Sequence, residues 1–299
     1  MKMTPFLHPD AGDPGVPVFL SPRAALLAAA RELQAAGVPD PAYDAAALLS
    51  AVTGEPPLLL RMETEKTLTE AQARSFRALM DRRLAREPLQ HLLGTVPFCS
   101  LTFRVSPDAL IPRPETELLA EWALEELASA GLPSPAVLDL CCGTGCIGLT
   151  VGKRMPACRL TLTDLSEGAL ALASENARLL GVSARFLRGD LWEPVGEAAF
   201  DLIVSNPPYI PSAECDSLQP EVMREPRMAL DGGADGLDFY RRIARDASAH
   251  LNPGGRILLE AGFGEAKAVA ALLEAAGAES IGIRADDAGI DRMILARWP

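Results

Sequence analysis

Five short apolar runs punctuate the chain after Gly131: "AVLDL" (136–140), "RLTLT" (159–163), "ARFLR" (184–188), "FDLIVS" (200–205) and "RILLEA" (256–261). Near-continuous hydrophobicity marks strands buried on both faces, which in an open sheet means parallel pairing beneath helices. Helical stretches over 167–180, 235–249 and 264–276 separate them. The pattern predicts a doubly wound α/β domain. It also restricts where a ligand can sit: beyond the carboxyl ends of the strands, at the crevice where strand order reverses.

The first part of the chain has a different texture. Ser21-Pro22 is a helix start, and Leu26, Leu27, Ala30 and Leu33 recur at helical spacing until Gly37. Further helices are expected over Pro41 to Val52 and about Thr69 to Leu84. These make a small helical domain over 21–90, preceded by a loose leader over 1–20 rich in Pro, Gly and Asp. From Thr95 to Val105, apolar Leu101, Phe103 and Val105 alternate with polar residues, which predicts a hairpin. With the stiff connector "LIPRPETE" it forms a hinge over 91–114, leaving 115–299 as the α/β domain.

Charge excludes some functions. Residues 1–110 hold 11 Lys and Arg against 12 Asp and Glu, and the remainder holds 17 against 28. A groove that grips phosphate backbone carries the opposite sign, so direct nucleic-acid binding is not expected. The one basic cluster, Arg74, Arg77, Arg82, Arg83 and Arg86, reads as a solvated helix face or, more sharply, as a docking surface for a partner. The six cysteines lack paired C-x-x-C spacing and the three histidines are scattered, so no metal site is expected. There is no apolar run long enough to span a membrane, and a cytoplasmic enzyme is the expectation.

The first strand runs into "CCGTGCIG", where Gly143, Gly145 and Gly148 satisfy G-x-G-x-x-G and Asp164 ends the next strand. Two cofactors fit this pattern. NAD would use the glycines for its pyrophosphate and the acid for ribose hydroxyls. S-adenosyl-L-methionine has the same adenosine without the pyrophosphate. It would use Asp164 for the ribose and the loop backbone from Cys141 through Cys142, Gly143 and Thr144 to Gly145 for the methionine end. Asp139 would orient the amino group, and "GDLW" (189–192) would receive the adenine, with Leu191 beside it and Asp190 accepting from its amine.

The fourth strand breaks off into Asn206-Pro207-Pro208-Tyr209. Two prolines neither donate to a sheet nor continue a helix, so the strand ends in a rigid elbow carrying one amide and one ring. If the first and fourth strands are neighbours across the switch point, Asn206 faces the reactive end of the cofactor. A dehydrogenase has no evident need for such an elbow; a methyltransferase acting on a planar nitrogen does. The Asn206 side-chain oxygen and the Pro207 carbonyl can hold the two hydrogens of an NH₂ group and aim its lone pair, while Tyr209 stacks on the flat group.

With these residues placed, the chain resembles the protein-glutamine methyltransferases that modify peptide chain release factors. The resemblance runs from about Ser21 to the C-terminus through "REPLQHLLGTVPFCSLTFRVSPDALIPRPETE" (86–117), "VLDLCCGTGCIGL", "FDLIVSNPPYI", "EPRMALDGGADGLDFYRRI" (225–243) and "LNPGGRILLEAGFGEA" (251–266). The elbow is shared with adenine-amine methyltransferases of nucleic acid, which is the alternative function; the hinge block is more specific. The resemblance implies a class I S-adenosylmethionine-dependent methyltransferase with a Rossmann-like doubly wound sheet. It further implies no metal and, as substrate, the glutamine of the Gly-Gly-Gln loop in class 1 release factors. Asn206, Pro207 and Tyr209 would be catalytic, and Pro208 would help bind the substrate. Arg113 and Glu117 resemble the residues that tie the hinge to the active site, or form a structural ion pair. The chain departs from the family at Cys141, where a glycine is common, and at His91, where a tyrosine is common.

Overall fold

The computed structural model describes residues 20–299; the leader expected over 1–20 lies, but for its last residue, outside them. The chain divides into two compact units between Leu93 and Gly94.

In the first unit, α1 (Pro22–Ala35) begins where Ser21 Oγ accepts from the Ala24 N–H at 3.3 Å and Pro22 occupies the first turn. α2 (Pro41–Thr53) stops on Gly54 in the left-handed conformation. α3 (Pro57–Met62) was not expected, being too short to show a helical period. α4 (Glu70–Leu84) opens with a reciprocal capping box between Thr69 and Gln72, and the equally unexpected α5 (Leu89–Leu93) closes the unit. Leu26, Leu33, Leu48, Leu49, Phe76 and Met80 form its core. The arginines of α4 are matched by carboxylates: Arg74 by Glu70, Arg77 by Glu32 and Asp81, Arg82 by Glu87. Arg83 reaches Asp44 at 2.7 Å with both side chains buried. Charges so neutralised project little field to attract a partner, and the burial of Arg83 makes it a structural ion pair rather than part of a solvated face.

The second unit opens with an antiparallel hairpin, β1 (Thr95–Phe98) and β2 (Leu101–Arg104). Its two-residue turn, Cys99 and Ser100, takes positive φ at both positions, matching the twist of the strands. Phe98 and Phe103 meet edge-on at 5.8 Å and enter the core. α6 (Pro114–Ala130) follows, then β3 (Ala136–Leu140), α7 (Cys146–Arg154), β4 (Arg159–Asp164), α8 (Glu167–Leu180), β5 (Arg185–Arg188) and β6 (Phe200–Ser205). α9 (Asp238–Asp246), β7 (Leu251–Glu260), α10 (Ala266–Ala275), β8 (Ser280–Ala285) and β9 (Asp291–Arg297) complete it.

The strands lie in the order β5-β4-β3-β6-β7-β9-β8. β3 to β7 run parallel, while β9 is antiparallel to both its neighbours. Side chains alternate across the sheet with the strand period of two. Val137 packs among Leu119, Trp122 and Leu149 on one face. Leu138 and Leu140 pack among Tyr240, Ile243 and Leu273 on the other.

Three strand expectations need correction. β5 is an edge strand with no fully buried residue, because among the described residues no strand pairs with its outer side. β7 starts at Leu251 rather than 256. β8 and β9 escaped notice: β8 has no fully buried residue, so its pattern is weak. No helix among the described residues is long and apolar enough to cross a membrane.

Strand order reverses between β3 and β6, which pair directly with Leu140 opposite Ser205. Ser205 Oγ donates to the Leu140 carbonyl at 2.5 Å, pinning the two strand ends together. The glycine loop and the Asn206 elbow therefore leave the sheet side by side, at the crevice where ligands bind in open α/β sheets.

Candidate active site

A cavity of about 250 Å³ opens over these strand ends. Its walls come from the glycine loop (Cys141, Gly143), the end of β4 and its turn (Asp164, Leu165, Ser166), the turn after β5 (Gly189, Asp190, Leu191) and the elbow (Asn206, Pro208). Residues 108–110 of the connector close one side, and Met228, Phe239 and Arg242 another. A second cavity of about 220 Å³ is lined by Arg113, Pro207, Tyr209, Ile210, Leu218 and Val222. Asn206 lines both.

The glycine loop divides its labour. Gly143 is at the cavity, and its N–H donates to Asp164 Oδ2 at 2.9 Å. Gly145 serves packing instead: a Cβ there would stand 2.9 Å from Leu149 and Leu162. Asp139 does not line the cavity either. It is wholly buried, and its Oδ2 accepts from the Gly148 N–H at 2.8 Å, which seats α7 on β3. Burial, opposed by that hydrogen bond, pushes its carboxyl up to about 8. Cys142 and Thr144 are buried behind the loop, where the Thr144 carbonyl accepts from Asn176 Nδ2 at 3.0 Å. Cys141 does line the cavity, in the left-handed conformation at φ 61°. Burial pushes the thiols of Cys141, Cys142 and Cys146 up, so they stay neutral fillers.

Asp164 accepts from two backbone N–H groups, Gly143 on Oδ2 and Ser166 on Oδ1 at 2.9 Å each. Its carboxyl is nevertheless raised by burial. Each oxygen keeps a lone pair for a diol placed in the cavity. Asp190 is ion-paired with Arg242 at 2.7 Å, and Leu191 beside it is buried at φ 49°.

At the elbow Pro207 and Pro208 are buried. The next residues are zipped to 230–233: Ile210 N–H to Leu230 O at 2.9 Å, Gly232 N–H to Ile210 O at 2.8 Å. Only glycine fits at 232, where a Cβ would lie 2.6 Å from Tyr209 Cα. Burial pushes the Tyr209 hydroxyl up to about 12, so it remains protonated at neutral pH. Asn206 Nδ2 donates to Thr116 Oγ1 at 3.3 Å, and Asn206 Oδ1 is buried without a partner among the described residues. An acceptor left so costs stability unless a ligand satisfies it.

Arg113 lines the second cavity but pairs with Glu225 rather than Glu117. Glu225 Oε2 also accepts from the Ile111 N–H at 2.8 Å, so one buried carboxylate fastens the connector. Glu117 lines neither cavity; its carbonyl faces Cys99 Sγ at 3.8 Å. Sequence reasoning missed Thr116, Glu225 and Glu260. Only Glu260 carried a local signal, a carboxylate ending an otherwise apolar strand. Among the described residues no group of three or more His, Cys, Asp or Glu side chains is placed to hold a metal ion.

Residues 24–94 match the family model described as the PrmC N-terminal domain, and residues 116–236 match the methyltransferase small domain. The chain is 45% identical over 251 residues to the release factor glutamine methyltransferase of Geobacter sulfurreducens, covering 84% of this chain and 87% of that one. It is 46% identical over 277 residues to the enzyme of the same name from Cereibacter sphaeroides, covering 92% and 98%. Among solved structures, the hMettl16 catalytic domain in complex with an RNA hairpin aligns with a TM-score of 0.56 at 13% identity, over 71% of this chain and 81% of that one. A T. Thermophilus 16S rRNA methyltransferase in complex with AdoMet and guanosine aligns with a TM-score of 0.50 at 21% identity, over 69% and 50%. Likeness at that identity concerns the fold.

Proposed function

This chain belongs to the release factor glutamine methyltransferase family, and from that premise we propose how its cavities work. S-adenosyl-L-methionine occupies the cavity on one side of Asn206, and a glutamine side chain of a release factor occupies the cavity on the other. The observation that carries this reading is that Asn206 lines both cavities while holding a buried acceptor with no partner among the described residues.

On the cofactor side, Asp164 would take the ribose hydroxyls, the backbone at Cys141 and Gly143 the methionine end, and Asp190 with Leu191 the adenine. Asp139, Cys142, Thr144 and Gly145 support the loop from behind. When bound, S-adenosyl-L-methionine supplies an electrophilic methyl group on a sulfonium.

The chain's own task is to make an amide nitrogen nucleophilic. That nitrogen is weak because its lone pair is delocalised into the carbonyl. Asn206 Oδ1 and the Pro207 carbonyl accept its two hydrogens, drawing it towards tetrahedral geometry and aiming the lone pair at the neighbouring cavity. Pro207 and Pro208 fix the carbonyl direction at little entropic cost, and the neutral Tyr209 ring packs on the flat amide. Orientation and electrostatics supply the rate.

The proposed substrate is the Gly-Gly-Gln glutamine of a class 1 release factor, which places the enzyme in the cytoplasm. An adenine amine in nucleic acid is not favoured, because the residues after 110 carry 17 Lys and Arg against 28 Asp and Glu. The test offers labelled methyl donor to purified release factor, wild type and with that glutamine replaced. Label in the wild-type factor alone is the expected result. Equal labelling of both factors, or labelling of nucleic acid instead, overturns the proposal.

A further inference from the structure

Behind the elbow lies a carboxylate to which the proposed function gives no task. Glu260, the last residue of β7, is 2% exposed, and its Oε2 has no hydrogen-bond partner among the described residues. It lies against the Thr116 hydroxyl and the Asn206 amide. A buried carboxylate without a full set of partners is costly, and this one lies against Asn206, which lines both cavities.

We infer that ionised Glu260 is a positioning residue that fixes which way the Asn206 amide faces, with Thr116 as its relay. The inference rests on the proposed role of Asn206 Oδ1 as an acceptor for the substrate. The two ends of an asparagine amide are nearly the same size but opposite in polarity. A carboxylate attracts N–H and repels oxygen, so it holds Nδ2 on its own side. Thr116 has one hydroxyl proton; donated to the carboxylate, it leaves the oxygen lone pairs free to accept from Asn206 Nδ2, the 3.3 Å contact observed. Oδ1 is then the end left over, as found. Once protonated, Glu260 becomes a donor. It then competes for Oδ1 and no longer penalises the turned amide.

The transition falls in an accessible range. Burial pushes Glu260 up to about 7, against the opposing pull of Thr116, Arg292 and Asn206, while Glu115 pushes it further. The charged and titratable groups facing it are Glu115 on α6, Cys146 on α7, Arg292 on β9, Tyr209 at the elbow and Tyr240 on α9, whose hydroxyl donates to the Glu260 carbonyl at 2.7 Å. Arg292 is itself held by Asp286 at 2.7 Å.

The test is the pH profile of kcat for release-factor methylation, with S-adenosyl-L-methionine affinity measured alongside. Wild type is expected to lose activity on the acid side with one ionisation near the Glu260 value. Glu260→Gln is expected to lose that limb and to run about tenfold or more slower at pH 8, with cofactor affinity within about twofold. Thr116→Val is expected to slow turnover about tenfold, and Thr116→Ser to restore it. Glu260→Gln with the wild-type rate and the same acid limb overturns the inference, as does Thr116→Val at the wild-type rate. If Glu260→Gln fails to bind cofactor, the Thr116 pair decides alone. Asn206→Ala separates the two levels: inactivity there beside a normal Glu260→Gln removes only this inference, whereas full activity of Asn206→Ala removes the proposed acceptor as well.

Discussion

Arg113, at the start of α6, is paired with Glu225, 112 residues further along the chain. The pair is lopsided: the Arg113 side chain is 31% exposed and that of Glu225 2%. Removing the arginine leaves a buried carboxylate with only the Ile111 N–H to satisfy it. Arg113→Met is therefore expected to destabilise the protein by about 2–3 kcal/mol, and adding Glu225→Gln to recover most of the loss. Denaturant unfolding of both single variants and the double variant checks this; strictly additive losses would remove the coupling.

Cys141 holds a left-handed backbone at φ 61° in the glycine loop. Any side chain pays for that conformation, whereas glycine does not. Cys141→Gly is expected to be more stable than Cys141→Ala by about 1 kcal/mol, the reverse of the order at an ordinary loop position. Comparing the two variants cancels the lost thiol, and thermal unfolding reads the difference. An alanine variant equal to or better than glycine would mean that the loop carries no strain here.

Glu260 has an ordinary value of 4.5 and sits at about 7 in the folded chain. A carboxyl raised on folding is easier to ionise when unfolded. Its penalty is thus absent below the unfolded value, grows as pH rises between the two values, and is complete above the folded one. That full penalty is about 3 kcal/mol. Glu260→Gln is expected to unfold at a higher temperature than wild type at pH 8, with the advantage gone by about pH 5. Melting temperatures at the two pH values check it, and a variant less stable at pH 8 contradicts it. Gained stability beside lost turnover is the signature of a residue kept for function.

Some of this was legible in the sequence because its cause is local. The apolar runs of β3, β4 and β6, the glycine loop and the prolines of the elbow each declare themselves within a few residues. The capping at Ser21 is local in the same way. The support beneath the elbow is not. Thr116 lies 90 residues before Asn206, its partner through space, and sits in a connector whose charged neighbours drew attention first. Asp139 and Glu117 misled for a related reason: a residue next to a functional segment can face the opposite side of its strand or helix. Asp139 faces α7, and Glu117 lies apart from both cavities. β8 escaped because a strand pattern weakens at a sheet edge, where half the burial that creates it is missing.

The shared wall between the two cavities is tested most directly by single-turnover transfer from bound S-adenosyl-L-methionine to release factor in Asn206→Ala. With the acceptor gone, transfer is expected to slow at least about a hundredfold, while cofactor affinity, held by the groups around Asp164, falls by less than about tenfold. Transfer by Asn206→Ala at a rate close to that of wild type would contradict the account.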